Sequence, residues 1–451
     1  MTQGILGNVY HTPIKGDFEY LEQALIIIDN TGSISHVLNP QDVNYDEFIA
    51  HLTKNHALTR LADDQYLLPG MIDLHIHAPQ WPQAGKGLDL PLDQWLMEYT
   101  FPLESRYSDL NFAQTVYPHL IDTYLSHGTT TGVYFATIDN AASEYLAKVC
   151  IEKGQRAFVG KVSMDEPSMC PDYYVEANHT ESIANAEVFI QAIHNLPNNH
   201  KLVQPVITPR FIPTCSLEAL KGLATLAKQY DCVIQTHASE SDWARDFSRE
   251  KYNKTDVEIY DEAGLLGRKT ILAHSIFLTD NDVNIIKKRQ SGIAHCPLSN
   301  MFFANAALPA REYLDAQVHM GLGSDVAASP YPSLFRSCFD GMAHSRTRED
   351  GTDTQLSKEA RGVAGSRITL LESYWMGTVG GAQVLDIPAG QFKPGYYFDA
   401  LCISTSQANS DITIYHEFDS PRDIFEKLIA YASSHNIIKT WVNGKLVQSR
   451  N

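Results

Sequence analysis

The chain has 451 residues, 44 % of them hydrophobic, enough to bury a large core as two or three domains, or as one barrel with an appendage. Its formal net charge is -18 and no Lys/Arg-rich run occurs, which argues against nucleic acid and against an anionic membrane as partners. Seven scattered cysteines with no C-x-x-C pair argue against a thiolate zinc site or a redox motif, and free thiols suit a reducing cytoplasm. The first ten residues show no basic region followed by an apolar one, and no apolar run approaches the roughly 18 residues of a membrane span, so a cytoplasmic enzyme is expected.

In chain order, residues 4–68 hold short β-like runs, at 4–9 and at 24–28, the latter ending in the turn Asp29-Asn30-Thr31-Gly32. The texture changes at the stretch 69–80, an apolar strand carrying His75 and His77. Side chains alternate across a strand, so these two imidazoles share a face. They can bind one metal together, or be two polar positions of a half-buried strand.

Phe112, Val116, Leu120 and Tyr124 then recur every fourth residue, which predicts a helix from an N-cap at Ser108 to a stop at Gly128. A strand at 129–136, a helix at 140–153 ending at Gly154, and a strand at 157–164 follow. Thr180 is expected to cap the next helix, ahead of a strand at 202–211. Ser216 caps another, ahead of a strand at 232–239. The sixth strand is 270–275, Thr279 with Asp282 resembles a capping box, and the last two strands are 292–297 and 319–325.

Eight such units predict a closed (β/α)8 barrel of the TIM type, in the α/β class, rather than an open doubly wound sheet. No G-x-G-x-x-G follows the first strand. Strand texture returns at 398–403, and Asn443-Gly444 marks a hairpin at 439–447. Residues 1–68 and 388–451 are therefore expected to form one small β-sandwich domain beside a barrel of residues 69–387.

Catalytic groups of such a barrel sit at the C-terminal ends of its strands. The predicted ends carry His75 and His77 (first strand), His237 (fifth), His274 (sixth) and Asp325 (eighth). Their convergence, among only 18 histidines, predicts a metal site. Neutral imidazoles with a carboxylate suit zinc with an open position for water. Taken singly, His237 or His274 reads better as a hydrogen-bonded core histidine, and the alternative for Asp325 is an N-cap; their matching places on different strands weaken both readings.

Glu240, three residues past His237, is placed to move a proton, or is a solvated loop acid. Arg210 and Phe211 close the fourth strand, where a guanidinium could hold a carbonyl-bearing ring and a phenyl could stack on it. A surface arginine and a core phenylalanine are the alternative.

Several stretches carry a resemblance to a known family: 69–80, 89–101 (Asp-Leu-Pro-Leu-Asp-Gln-Trp-Leu-Met-Glu-Tyr-Thr-Phe), 128–131, 161–165, 208–211, 237–240, His295-Cys296-Pro297 with Ser299-Asn300, and 323–327. Over almost its whole length the chain resembles guanine deaminases of the amidohydrolase superfamily. Gln80, Arg210-Phe211 and the block from Trp95 to Phe101 make the likeness specific.

The resemblance implies one zinc per chain, held by His75, His77, His237 and Asp325. It implies that His274 and Asp325 position and deprotonate a water, and that Glu240 protonates the purine ring. Gln80, Arg210 and Phe211 would recognise guanine beside His237, with Arg210 at the 6-oxo group, and the products would be xanthine and ammonia. A homodimer is implied as well.

Many superfamily members bridge two metals with a carboxylated lysine at the end of the fourth strand. Arg210 stands there, which fits a single metal, and Lys161 lies on the third strand. Relatives often carry glycines where this chain has Ala328 and Ser329, so the last barrel loop is a point of difference. The absence of a P-C-x-x-C motif excludes the cytidine-type zinc deaminases. A deaminase of 8-oxoguanine or a pterin, a cyclic amide hydrolase and a non-catalytic relative are the competing readings.

Overall fold

The structure is a computed structural model that describes residues 2–450. Its barrel strands are Met71–His77, Thr129–Phe135, Arg156–Gly160, Val203–Pro209, Val233–Ala238, Thr270–His274, Gly292–His295 and His319–Leu322, paired in parallel and in sequence order. The ring closes just beyond the last of them, where Asp325 N donates to His75 O at 2.9 Å and His77 N donates to Val326 O at 2.9 Å.

Alternation along the first strand is as the sequence requires. Ile76, between the two histidines, packs outward in a cluster with Leu120, Tyr124 and Tyr134, which leaves His75 and His77 facing inward. Helices alternate with the strands and lie outside them. Ser216, and the Thr279–Asp282 capping box, start their helices as expected.

The structure corrects three local expectations. The helix Leu110–Ser126 is capped by Asp109, whose Oδ1 accepts from Asn111 N, because the Ser108 hydroxyl is spent on Ser105 O. Asn178, not Thr180, caps His179–His194 through Glu181 N. The third strand is interrupted, with a second piece at Val162–Ser163. Pro205 stands opposite Val159 and Thr208 opposite Val162, so the register is unchanged across the gap. At the gap Lys161 buries its ammonium against the Glu176 carboxylate.

The two ends of the chain meet in one eight-stranded sheet. Its order is Lys445–Ser449, Ile437–Val442, Ala400–Ser404, Gln65–Pro69, Gln3–His11, Glu19–Ile28 and Ile34–Leu38, with Leu58–Arg60 beside the Gln3–His11 strand. The sheet curls over a core of Ile5, Val9, Ile26, Leu67, Phe398 and Trp441. The Asn443-Gly444 turn sits as the sequence indicated, with Val442 opposite Lys445.

Gln65–Pro69 runs almost directly into the first barrel strand and is held from the other side by the antiparallel strand Ala400–Ser404. A buried ion pair ties the two bodies together. Arg156, on the third barrel strand, donates from Nε and Nη2 to the two Asp399 oxygens at 3.2 Å each, and Asp399 also accepts from Asn443 N. Asp399→Ala leaves that guanidinium buried without its partner, and is expected to lower stability by about 3 kcal/mol, read from the denaturant midpoint.

Candidate active site

Barrel closure gathers six predicted residues at one mouth. His75 Nε2 lies 3.3 Å and His77 Nε2 3.6 Å from Asp325 Oδ1. His77 Nε2 and His237 Nε2 are 3.0 Å apart. His274 Nε2 is 3.8 Å from Asp325 Oδ2 and 3.6 Å from Glu240 Oε1. All are buried, and the Phe135 ring packs against the imidazoles of His75, His77 and His237 with centroids 4.7 to 4.9 Å away. His274 and Asp325 sit in left-handed backbone, at φ +66° and +53°, which costs an L residue roughly 1–2 kcal/mol. The bonds Ser275 N to Ala238 O and Asp325 N to His75 O hold the chain there.

Second contacts fix the rings. His237 Nδ1 donates to Arg210 O at 2.7 Å and His274 Nδ1 donates to Asn300 Oδ1 at 2.9 Å, so each turns an Nε2 lone pair inward. Burial, and the charge of neighbouring imidazoles and of Arg210, holds His75, His77 and His237 well below the ordinary histidine pKa, so they stay neutral. Burial pushes Asp325 up to about 6 despite His274, and burial with the nearby Asp325 pushes Glu240 up to about 8.

This donor set fits a divalent cation. His75 Nε2, His274 Nε2 and Asp325 Oδ2 are buried without a hydrogen-bond partner, and a cation at the mouth would satisfy them. Cys296 Sγ also lies near His75, His274 and Asp325, but burial pushes its thiol up, so it is a poor ligand.

Beside the cluster is a narrow cavity. Gln80, Arg210, Phe211, His237, Glu240 and Ala328 line it, and Leu92, Trp95 and Leu96 complete its wall. The last three come from residues 78–109, an excursion of short helical turns between the first strand and its helix. The Ala328 methyl thus occupies part of the wall where a glycine would leave space. Ser329 N donates to Asp325 O at 2.8 Å and steadies that loop.

Arg210 is buried, its Nη1 and Nη2 on the two Glu104 oxygens at 2.7 and 3.2 Å. Burial disfavours its charge, the Glu104 carboxylate more than offsets this, and the Arg210 pKa moves up from its ordinary value. Gln80 Nε2 donates to Glu104 Oε1 at 2.9 Å and leaves Gln80 Oε1 buried and unpartnered at the cavity. Lys161, paired with Glu176, stays out of the cluster.

Every residue singled out from the sequence therefore reaches this mouth, and the partners that hold them are what sequence reasoning missed. Asp73 was within reach of the alternation rule, since 73, 75 and 77 share a face. Its Oδ1 accepts from His75 N and Ser324 N and so ties the first strand to the eighth. Glu104 and Asn300 carry no local signal: their roles arise from neighbours distant in sequence.

The amidohydrolase family model matches residues 66–447, and the chain belongs to that family. Guanine deaminases are among its relatives there. It is 36 % identical to the guanine deaminase of Dictyostelium discoideum over 98 % of this chain and 97 % of that protein. It is 33 % identical to that of Homo sapiens over 98 % of this chain and 95 % of that one. Among solved structures, guanine deaminase from C. acetobutylicum with guanine bound in its active site superposes with a TM-score of 0.87, at 30 % identity over 99 % of this chain and 100 % of that one.

Replacing one of the facing imidazoles, His77→Ala, is expected to reduce bound divalent metal from near stoichiometric to a small fraction, measured by elemental analysis of protein purified from metal-supplemented cells.

Proposed function

We infer that the protein hydrolyses guanine to xanthine and ammonia, with one zinc ion held by His75, His77, His237 and Asp325. The observation that carries this reading is the meeting, in one narrow cavity, of a metal-competent His/Asp cluster with the Arg210 guanidinium and the unpartnered Gln80 amide oxygen. When bound, zinc supplies acidity, lowering the pKa of a water to about 7.

The chain's own residues do the rest. Gln80 Oε1 accepts from a ring N–H, Arg210 donates to the 6-oxo oxygen, and Phe211 stacks on the ring, with His237 beside it. His274 and Asp325 orient the attacking water and take its proton. Glu240 carries a proton in the cavity and gives it to a ring nitrogen as the water oxygen bonds to C2. The C2–N bond then breaks, the amino group leaves as ammonia with the proton first taken from the water, and the C2 hydroxyl gives its remaining proton back to Glu240 as C2 becomes the second carbonyl of xanthine. Water exclusion by the Trp95 segment strengthens each of these polar contacts.

We further propose a cytoplasmic homodimer. All seven cysteines are buried and unpaired, as suits a reducing compartment, and no helix among the described residues is long and apolar enough to cross a membrane. Exposed Tyr331, Phe339, Phe418 and Tyr431 suit a face covered by a second copy. Light scattering is expected to give twice the chain mass.

Ammonia release decides the substrate. Guanine is expected to turn over and adenine, which lacks the 6-oxo group, to be slower by about 10⁴-fold, since a pocket built for a hydrogen bond rejects the analogue without it. Equal turnover would refute the assignment of Arg210, and 8-oxoguanine and a pterin belong in the same panel. Glu240→Gln is expected to lower kcat by about 10²- to 10⁴-fold with metal content unchanged.

A further inference from the structure

Glu104 is the most heavily bonded side chain near the cavity, yet it does not line it. Its side chain is 0 % exposed. Oε1 accepts from Arg210 Nη2 and Gln80 Nε2, and Oε2 accepts from Arg210 Nη1 and from the Tyr174 hydroxyl at 2.8 Å. An ionised carboxylate offers about four acceptor sites, and here all are filled by donors from three different parts of the chain. It has no site left for a substrate proton, so its action passes through its neighbours.

We propose that Glu104 is a positioning and specificity-determining residue: it aims Arg210 and Gln80 at a neutral oxopurine and cancels the guanidinium charge, so that the anionic form of the product is not retained. This rests on the guanine pocket inferred above.

The positioning half follows from bonding rules. A carboxylate only accepts, so the Gln80 amide must turn its NH2 to Glu104 and its Oε1 to the cavity, where it meets a ring N–H. The fork-to-fork pair fixes the plane of the Arg210 guanidinium, which also lies over the Phe101 ring at 5.1 Å, and leaves other N–H groups for a carbonyl.

The charge half follows from acidity. Xanthine has a second ring carbonyl that delocalises negative charge, so it loses a ring proton more readily than guanine does. An unpaired buried guanidinium would hold that anion tightly, whereas one paired with Glu104 gives it little advantage over the neutral substrate.

The test compares holoenzyme of the wild type with Glu104→Gln, which keeps the shape and removes the charge. Guanine kinetics are measured alongside calorimetric binding of xanthine on both sides of its first ionisation. The expected result is a guanine KM raised about tenfold or more with kcat changed less, as fits loss of one buried charge-assisted contact. Xanthine should bind more tightly to the variant than to the wild type at the alkaline pH, with no such gain at the acid pH.

A KM within about twofold of wild type, or equal weakening of guanine and of xanthine at both pH values as a general packing defect would give, overturns the proposal. If the variant does not fold, Tyr174→Phe removes one donor while keeping the charge. It should raise KM about threefold with the xanthine preference unchanged, and an unaltered KM overturns the positioning role. A wild type that releases no ammonia from guanine refutes the functional reading alone, because the xanthine titrations still test Glu104.

Discussion

Closure of the barrel between its first and eighth strands is the constraint on which the site depends. The backbone bonds from Asp325 to His75 and from His77 to Val326 are the last of the ring, and they bring the Asp325 carboxylate within 3.3 Å of the His75 imidazole. Asp73 adds a side-chain tie across the same seam through Ser324 N. The bonds that finish the fold and those that assemble the cation site thus involve the same few residues. Left-handed backbone at His274 and Asp325 is tolerated because the ring on either side over-determines it.

Around this seam the protein keeps charge buried by pairing it. Arg210 with Glu104, Lys161 with Glu176 and Arg156 with Asp399 are each buried, and each would be costly with one partner missing. The first stands directly behind the cavity and the other two lie away from it. The three inward lone pairs of the cluster are the contrast: they have no partner within the protein, which is what makes the mouth receptive to a cation.

Much of this was legible in the sequence because two periodicities carried it. Alternation put His75 and His77 on one face, and helical spacing from Phe112 to Tyr124 separated successive strands, so the barrel and its strand ends could be read in order. The caps at Asp109 and Asn178 were displaced because several capping residues compete within each turn, and geometry alone selects one. Glu104 could not be read at all. Its four hydrogen bonds come from three residues, Gln80, Tyr174 and Arg210, and no spacing rule links them. Local pattern encodes which residues line a mouth, while the layer behind them is encoded only in the folded chain.

The sheet built from both ends of the chain has a consequence for biosynthesis. Gln65–Pro69, which leads directly into the strand bearing His75 and His77, finds its antiparallel neighbour only in Ala400–Ser404, more than three hundred residues later. During synthesis the early strands therefore wait with an open edge while the whole barrel emerges from the ribosome. Residues such as Leu67, later enclosed by Phe398 and Trp441, stay without that cover until the closing hairpin is made. The native arrangement is thus completed only once those distant strands have emerged, and the interval before it is when nascent chains are open to chaperones or to pairing with one another.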